Sequence, residues 1–168
     1  RLVSSAASDV YKRQVLLNQN NEVFVAKRID NPNNYWQMPQ GGIDENEDYL
    51  DAATRELEEE TSITNVKLIK ELDGFQTYLL PQNLLGIIWK GKYKGQIQKW
   101  FCMRFLGSDN EINIKTKKPE FLEWKWINLE DITKNVVDFK LDVYNEVKKK
   151  VMDILKSVSY THLRAHET

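Results

Sequence analysis

Apolar and polar positions alternate along most of this chain in short runs, and take a helical period in only a few places. Val15-Leu16-Leu17-Asn18 and residues 22–28 are two such runs joined by Gln19-Asn20-Asn21, the pattern of two strands and a polar turn. Turn-forming residues at 30–34 lead into Tyr35-Trp36-Gln37-Met38-Pro39-Gln40-Gly41-Gly42, which is too rich in Pro and Gly for a regular central strand. Paired glycines there let the backbone approach a ligand closely. A helix is predicted from about Asp48 to Thr61, with Leu50, Ala53 and Leu57 as its apolar stripe; Asp44, Glu45, Glu47 and Asp48 crowd its start, where the helix dipole favours anions. Residues 66–72 and 75–80 read as strands, the second closed by Pro81-Gln82-Asn83. Residues 96–106, QIQKWFCMRFL, form the strongest strand pattern in the chain, and 107–118 is a polar loop. From Phe121 to Ile127 the period is two, which sets Glu123 and Lys125 opposite Trp124 and Trp126. A short helix opens at 128–132, and a last amphipathic helix over about 140–156 carries the stripe Val143, Val147, Val151 and Ile154. Strands alternating with two or three helices predict an α/β sandwich, a mixed sheet between helical layers.

The two ends do not share this patterning. RLVSSAASDVYKRQ and SVSYTHLRAHET resemble translated linker or adaptor DNA, so residues 1–14 and 157–168 are set aside as foreign or disordered and the domain is expected over 15–156, its first strand clipped. The 168 residues suit one domain. Charged residues make up 29% of the chain but balance to a net charge of -1, so an anionic substrate must be held by local groups and no global basic field points to DNA. Cys102 sits in an apolar run and reads as core; one cysteine excludes a disulfide within the chain, which fits a reducing cytosol. No apolar run approaches the ~18 residues of a membrane span. The expectation is a cytoplasmic monomer with no membrane partner. Trp89, Lys90, Lys92, Tyr93 and Lys94 form a basic, aromatic stretch whose ordinary meaning is a solvated loop.

The chemistry concentrates in the first helix. Glu56, Glu59 and Glu60 stand at i, i+3 and i+4, so a helix stacks three carboxylates on one face. An acidic solvated face is the ordinary reading of such a row. The alternative is a hard divalent cation, which takes several oxygen ligands and gains from concentrated negative charge. Arg55 is placed to hold one carboxylate ionised and oriented.

Gly41, Glu47, Arg55, Glu56, Leu57, Glu59, Glu60 and Ile63 follow the spacing Gly, five residues, Glu, seven residues, Arg-Glu-apolar-any-Glu-Glu, and an apolar residue three further on. This resembles the box of the Nudix family. One position departs: Ser62 stands where the family has Gly, and in a left-handed helix cap that costs on the order of 1 kcal/mol. The resemblance implies an α/β/α sandwich and hydrolysis of a phosphoric anhydride. It implies Mg2+, or Mn2+ or another divalent cation, on Glu56, Glu59 and Glu60, with the Gly41 carbonyl as a further ligand. Outside the box, residues 36–43, 96–101, Pro119-Glu120-Phe121, Trp124-Lys125-Trp126 and Val136-Val137-Asp138-Phe139-Lys140 resemble the bacterial branch that acts on RNA ends in mRNA decay. That branch converts a 5′-triphosphate or 5′-diphosphate end to a monophosphate, and is closely related to dinucleoside polyphosphate hydrolases, the alternative activity. A nucleotide-binding module without catalysis is the third expectation, disfavoured because no metal glutamate is missing.

By the same resemblance Glu120 is a metal ligand or general base, and Arg28, Gln40, Lys99, Phe139 and Lys140 are substrate contacts. Phe139 fits equally a stacking platform for a base and a core residue under the last helix. Trp100, Trp124 and Trp126 read as packing residues. The branch also carries a Tyr-Arg pair before its first strand, which Tyr11-Lys12 imitates only superficially.

Overall fold

The structure is a computed structural model that describes residues 2–4, 11–30, 35–41, 47–79, 93–134 and 136–167, with side chains described over 11–30, 35–41, 47–79, 96–134 and 136–158. Gly42, Asp44, Glu45, the strand end at 80–83 and Trp89, Lys90 and Lys92 lie outside the described residues, as do the side chains of Tyr93 and Lys94. The strands are β1 (Leu2–Ser4), β2 (Tyr11–Leu17), β3 (Glu22–Arg28), β4 (Gln40–Gly41), β5 (Val66–Glu71), β6 (Gln76–Leu79), β7 (Tyr93–Phe105) and β8 (Phe121–Asn128); the helices are α1 (Tyr49–Thr61) and α2 (Leu141–Glu167).

The long strand β7 is the spine of one mixed sheet. It runs parallel to β2, from Tyr11 opposite Gln98 to Leu17 opposite Arg104, and antiparallel to β1, β5 and β6. The path continues from β2 to β3 and β8, giving the order β1-β7-β2-β3-β8. The turn between β2 and β3 is set by Asn18, whose side-chain oxygen accepts from the amides of Asn20 and Glu22, and by Asn21 at φ 58, a left-handed position that Asn tolerates. Alternation along each strand then feeds two cores. Val15, Leu17, Val23, Val25, Trp100 and Cys102 pack towards Val143, Tyr144, Val147 and Val151 of α2. Leu16, Phe24, Ala26, Phe101, Met103 and Phe105 pack towards Ala53 and Leu57 of α1. The expected mixed sheet between helical layers is therefore present, and Trp100 (buried), Trp124 and Trp126 pack against the core as expected. Burial pushes the Cys102 thiol up to about 12, so it is an inert core group.

Helix α1 has the ends the sequence predicts. Asp48 caps it by accepting from the amides of Leu50 (2.7 Å) and Asp51 (3.2 Å). Ser62 closes it in the left-handed conformation, φ 64, with its amide bonded to the Glu58 carbonyl at 2.8 Å. The Ser62 hydroxyl also donates to the Asn113 carbonyl (2.9 Å), and the Asn113 amide to the Thr61 carbonyl (2.9 Å), which ties the loop before β8 to the helix end.

Secondary structure runs past both expected domain limits. Strand β2 begins at Tyr11, not Val15, because each of Tyr11 to Gln14 finds a register partner on β7. Arg13 lies buried there, its guanidinium 5.3 Å from the Trp100 ring. Helix α2 runs on beyond Lys156 to Glu167, a stretch without Pro or Gly in which each further residue adds one backbone bond. No helix among the described residues is long and apolar enough to cross a membrane.

Candidate active site

Helix α1 carries Glu56, Glu59 and Glu60 towards one end of the sheet, and the three meet different surroundings. Glu60 is only 3% exposed, whereas the Glu59 side chain is 57% exposed. Arg55 gathers the row from beside it. Its guanidinium donates to both oxygens of Glu47 (2.8 and 2.9 Å), and one amino group also reaches Glu56 (3.0 Å) and Glu59 (3.1 Å). The two-pronged Glu47 bond fixes the fork, so Arg55 orients Glu56 and Glu59 from a rigid base. Glu47 holds this position because Asp48 caps the helix and leaves the preceding residue facing the first turns.

Two segments far away in sequence complete the site. Arg28, at the end of β3, donates to both oxygens of Asp30 (2.8 and 3.1 Å) and to Glu120 (3.3 Å), which lies just before β8. The antiparallel pairing of β3 with β8 puts Arg28 opposite Phe121 and so brings Glu120 beside it. Segment 37–41 inserts between β2 and β3, with Gln37 paired to Ala26 and Gly41 to Lys12. There Gly41 makes room: a Cβ on it would overlap the side chain of Glu56. Its φ is not positive, so space and not backbone freedom demands glycine.

These groups line a cleft of about 430 Å³: Arg28, Gln40, Gly41, Glu56, Glu60, Glu120 and Lys140, together with Tyr11, Asp30, Tyr78 and Gln96. Burial pushes the Glu60 carboxyl up to about 9, reinforced by Glu120 and Glu56 and opposed by Arg28 and the Gln40 amide. Burial also raises Glu56, with Arg55 pulling the other way. The Lys140 ammonium is pushed down to about 7 by burial and by the positive charges of Arg13 and Arg28; it stands 5.6 Å from the Tyr78 ring. A phosphate arriving beside it would favour the charged form.

The raised Glu60 carboxyl has a measurable consequence. An unfolded Glu releases its proton near 4.5, whereas folded Glu60 keeps it up to about 9, so within this window the folded state binds the extra proton. Stability is fully present below the lower value and is lost as pH rises through the upper one. With chelator present, the melting temperature is expected to fall between about pH 5 and pH 9, and Glu60→Gln to flatten that slope. An unchanged slope in the variant would assign the effect to another group.

One expected contact is placed differently. Lys99 is not at the cleft: its ammonium donates to the carbonyls of Leu72 (2.7 Å) and Gly74 (2.9 Å) and stands 3.5 Å from Glu71, so its donors hold the turn between β5 and β6. Phe139 is partly buried against the α2 core, its ring 5.3 Å from that of Tyr78. Four cleft residues were not expected from sequence: Tyr11, Asp30, Tyr78 and Gln96. Tyr78 looks like an ordinary strand aromatic, and only its pairing with Gln96 across β6 and β7 brings both to the cleft.

The carboxylates do not converge on one point. Among the described residues no three acidic or cysteine or histidine side chains stand ready to hold a cation, because Arg55 and Arg28 draw Glu56, Glu59 and Glu120 towards themselves. Yet Glu60 Oε2 and Gln40 Oε1 are buried without a hydrogen-bond partner. Unmet buried oxygens beside a row of carboxylates fit a hard cation.

Comparison with known proteins agrees with this geometry. Residues 13–147 match the NUDIX domain. A protein of Pelagibacter ubique named RNA pyrophosphohydrolase is 74% identical over 141 residues, covering 84% of this chain and 89% of its own. One of the same name from Roseobacter denitrificans is 48% identical, covering 77% and 82%. Among solved structures, the E. coli dihydroneopterin triphosphate pyrophosphohydrolase superposes with a TM-score of 0.64 at 20% identity, covering 87% of this chain and 97% of its own, a likeness of fold alone. By the length of the domain match and the identity of these relatives, the chain belongs to the Nudix hydrolase family.

Proposed function

We propose that this protein is a divalent-metal-dependent pyrophosphohydrolase of RNA, converting 5′-triphosphate or 5′-diphosphate ends to 5′-monophosphates. The observation that carries the reading is the 74% identity to the Pelagibacter ubique protein named RNA pyrophosphohydrolase, over nearly the whole of both chains. The cleft supports it, since cationic, carboxylate and aromatic side chains meet there. Glu56, Glu59, Glu60 and Glu120, with the Gly41 carbonyl, would hold Mg2+ or Mn2+. Such a cation, when bound, neutralises phosphate oxygens and makes a bound water a stronger nucleophile.

The chain's own groups do the rest. Arg28 and Lys140 receive phosphate oxygens, and Arg28 at the same time orients Glu120. Arg55 holds the Glu56 and Glu59 carboxyl groups in place. Phe139, half-buried beside Lys140, is the ring on which a base would stack. The reading carries with it a cytoplasmic monomer and a native domain over 15–156.

The test is magnesium-dependent hydrolysis of 5′-triphosphorylated RNA and of diadenosine tetraphosphate, side by side at equal concentration. A higher kcat/KM on RNA is expected. Preference for the dinucleotide would replace this reading with dinucleoside polyphosphate hydrolysis, and no turnover of either would return the protein to a binding role.

A further inference from the structure

The glutamate row separates two clefts and not one. Glu56, Glu60 and Glu120 line the cleft described above and also a second, of about 610 Å³, whose other walls include Glu58, Glu59, Ser62 and the loop residues Lys117 and Lys118. The two sides differ in kind. The first has the rings of Tyr11 and Tyr78 and the Arg28 and Lys140 cations; the second has no described aromatic side chain, its lining being carboxylates, the Ser62 and Thr116 hydroxyls and two lysines.

Those lysines are unusual in what they do not do. Lys117 and Lys118 share a cleft with Glu56, Glu58, Glu59, Glu60 and Glu120, yet neither ammonium makes an ion pair or hydrogen bond among the described residues. An exposed lysine gains at most about 1 kcal/mol by pairing with a carboxylate, so both ammonium groups can turn to another anion at little cost. The space between suits a ligand that is itself anionic and would reach from cations on the glutamates to the lysines. A polyphosphate end has that form, a linear chain with charge on every unit. Resting on the reading of the protein as an RNA-end hydrolase, the nucleoside belongs on the aromatic side, so the phosphates farthest from it must run past the glutamates into the second cleft.

We propose that Lys117 and Lys118 bind the distal phosphates of the substrate, and hence the pyrophosphate that departs. Their place in the chain makes the arrangement specific. They immediately precede Pro119 and Glu120 on the loop tied to the end of α1, so the lysines and the Glu120 carboxylate are set by one anchor. A triphosphate reaches this pair with one more phosphate than a diphosphate does, and the lysines favour the longer end.

The test is the double variant Lys117→Gln/Lys118→Gln, both exposed positions where folding is not at stake. Inorganic pyrophosphate is titrated into wild type and variant with magnesium present, by calorimetry, and kcat/KM is measured for matched triphosphate and diphosphate RNAs. Pyrophosphate binding is expected to weaken about 10-fold, as loss of roughly 1.4 kcal/mol implies, and the triphosphate to lose several times more kcat/KM than the diphosphate. Unchanged pyrophosphate binding, or equal losses on both RNAs, overturns the proposal. If wild type hydrolyses neither RNA, the proposed function falls, while the calorimetry still decides whether the lysines hold pyrophosphate.

Discussion

Glu60→Gln is expected to lower kcat by about 10²- to 10⁴-fold, since the loss of several kcat-determining kcal/mol is what removing a metal-holding carboxylate implies, while leaving the fold in place. The two halves of this expectation have separate causes. Glu60 is buried and its carboxyl is pushed up to about 9 when no cation is bound, so at neutral pH the metal-free protein carries it protonated. Glutamine has nearly the shape of that neutral acid, and burying it costs nothing that the neutral carboxyl did not. What glutamine cannot do is ionise when a cation arrives. Glu59→Gln should lose turnover too. Single-turnover rates with saturating magnesium, beside melting curves in chelator, check both. A Glu60→Gln protein with wild-type turnover would remove this carboxylate from the chemistry.

Gly41→Ala is expected to lower kcat by about 10²-fold, the usual cost of moving a reacting group by an ångström. A Cβ here would overlap the Glu56 side chain, so either Glu56 or the 37–41 segment must shift. Glu56 cannot move alone, because Arg55 ties it to Glu59 and Glu47. The substitution therefore disturbs the row as a unit. Overpacking should also cost about 1–3 kcal/mol of stability. A variant with a lowered melting temperature but unchanged kcat would mean that the row absorbs the shift and that Gly41 serves packing alone.

Much of this site could be read along the sequence because its centre is local. The i, i+3, i+4 row, the Asp48 cap and the left-handed Ser62 all lie within one helix, where spacing fixes direction. What could not be read depends on strand register. Arg28 meets Glu120 across 92 residues only because β3 and β8 pair as they do. Tyr78 and Gln96 reach the cleft through the pairing of β6 with β7. Lys99 shows the converse: it sits in a stretch that resembles a substrate-contacting motif, but alternation on β7 turns its ammonium to the Leu72 and Gly74 carbonyls. The start of β2 at Tyr11 was hidden for a related reason. A strand edge can recruit residues whose own pattern predicts nothing, since backbone pairing needs no particular side chain.

Ser62 looks at first like a defect, a residue with a Cβ in a position that glycine fills at less cost. Exchanging it for glycine would relax the helix end by about 1 kcal/mol, yet it would also remove the hydroxyl that holds the Asn113 carbonyl. The Asn113 amide on the Thr61 carbonyl would then be left to hold that junction. The loop from Asn113 onward delivers Lys117, Lys118 and Glu120, so the serine works as a stay between mast and boom: a slightly weakened helix is exchanged for a fixed height of the loop above the glutamates. Relatives that carry glycine at this point must set that height by other means.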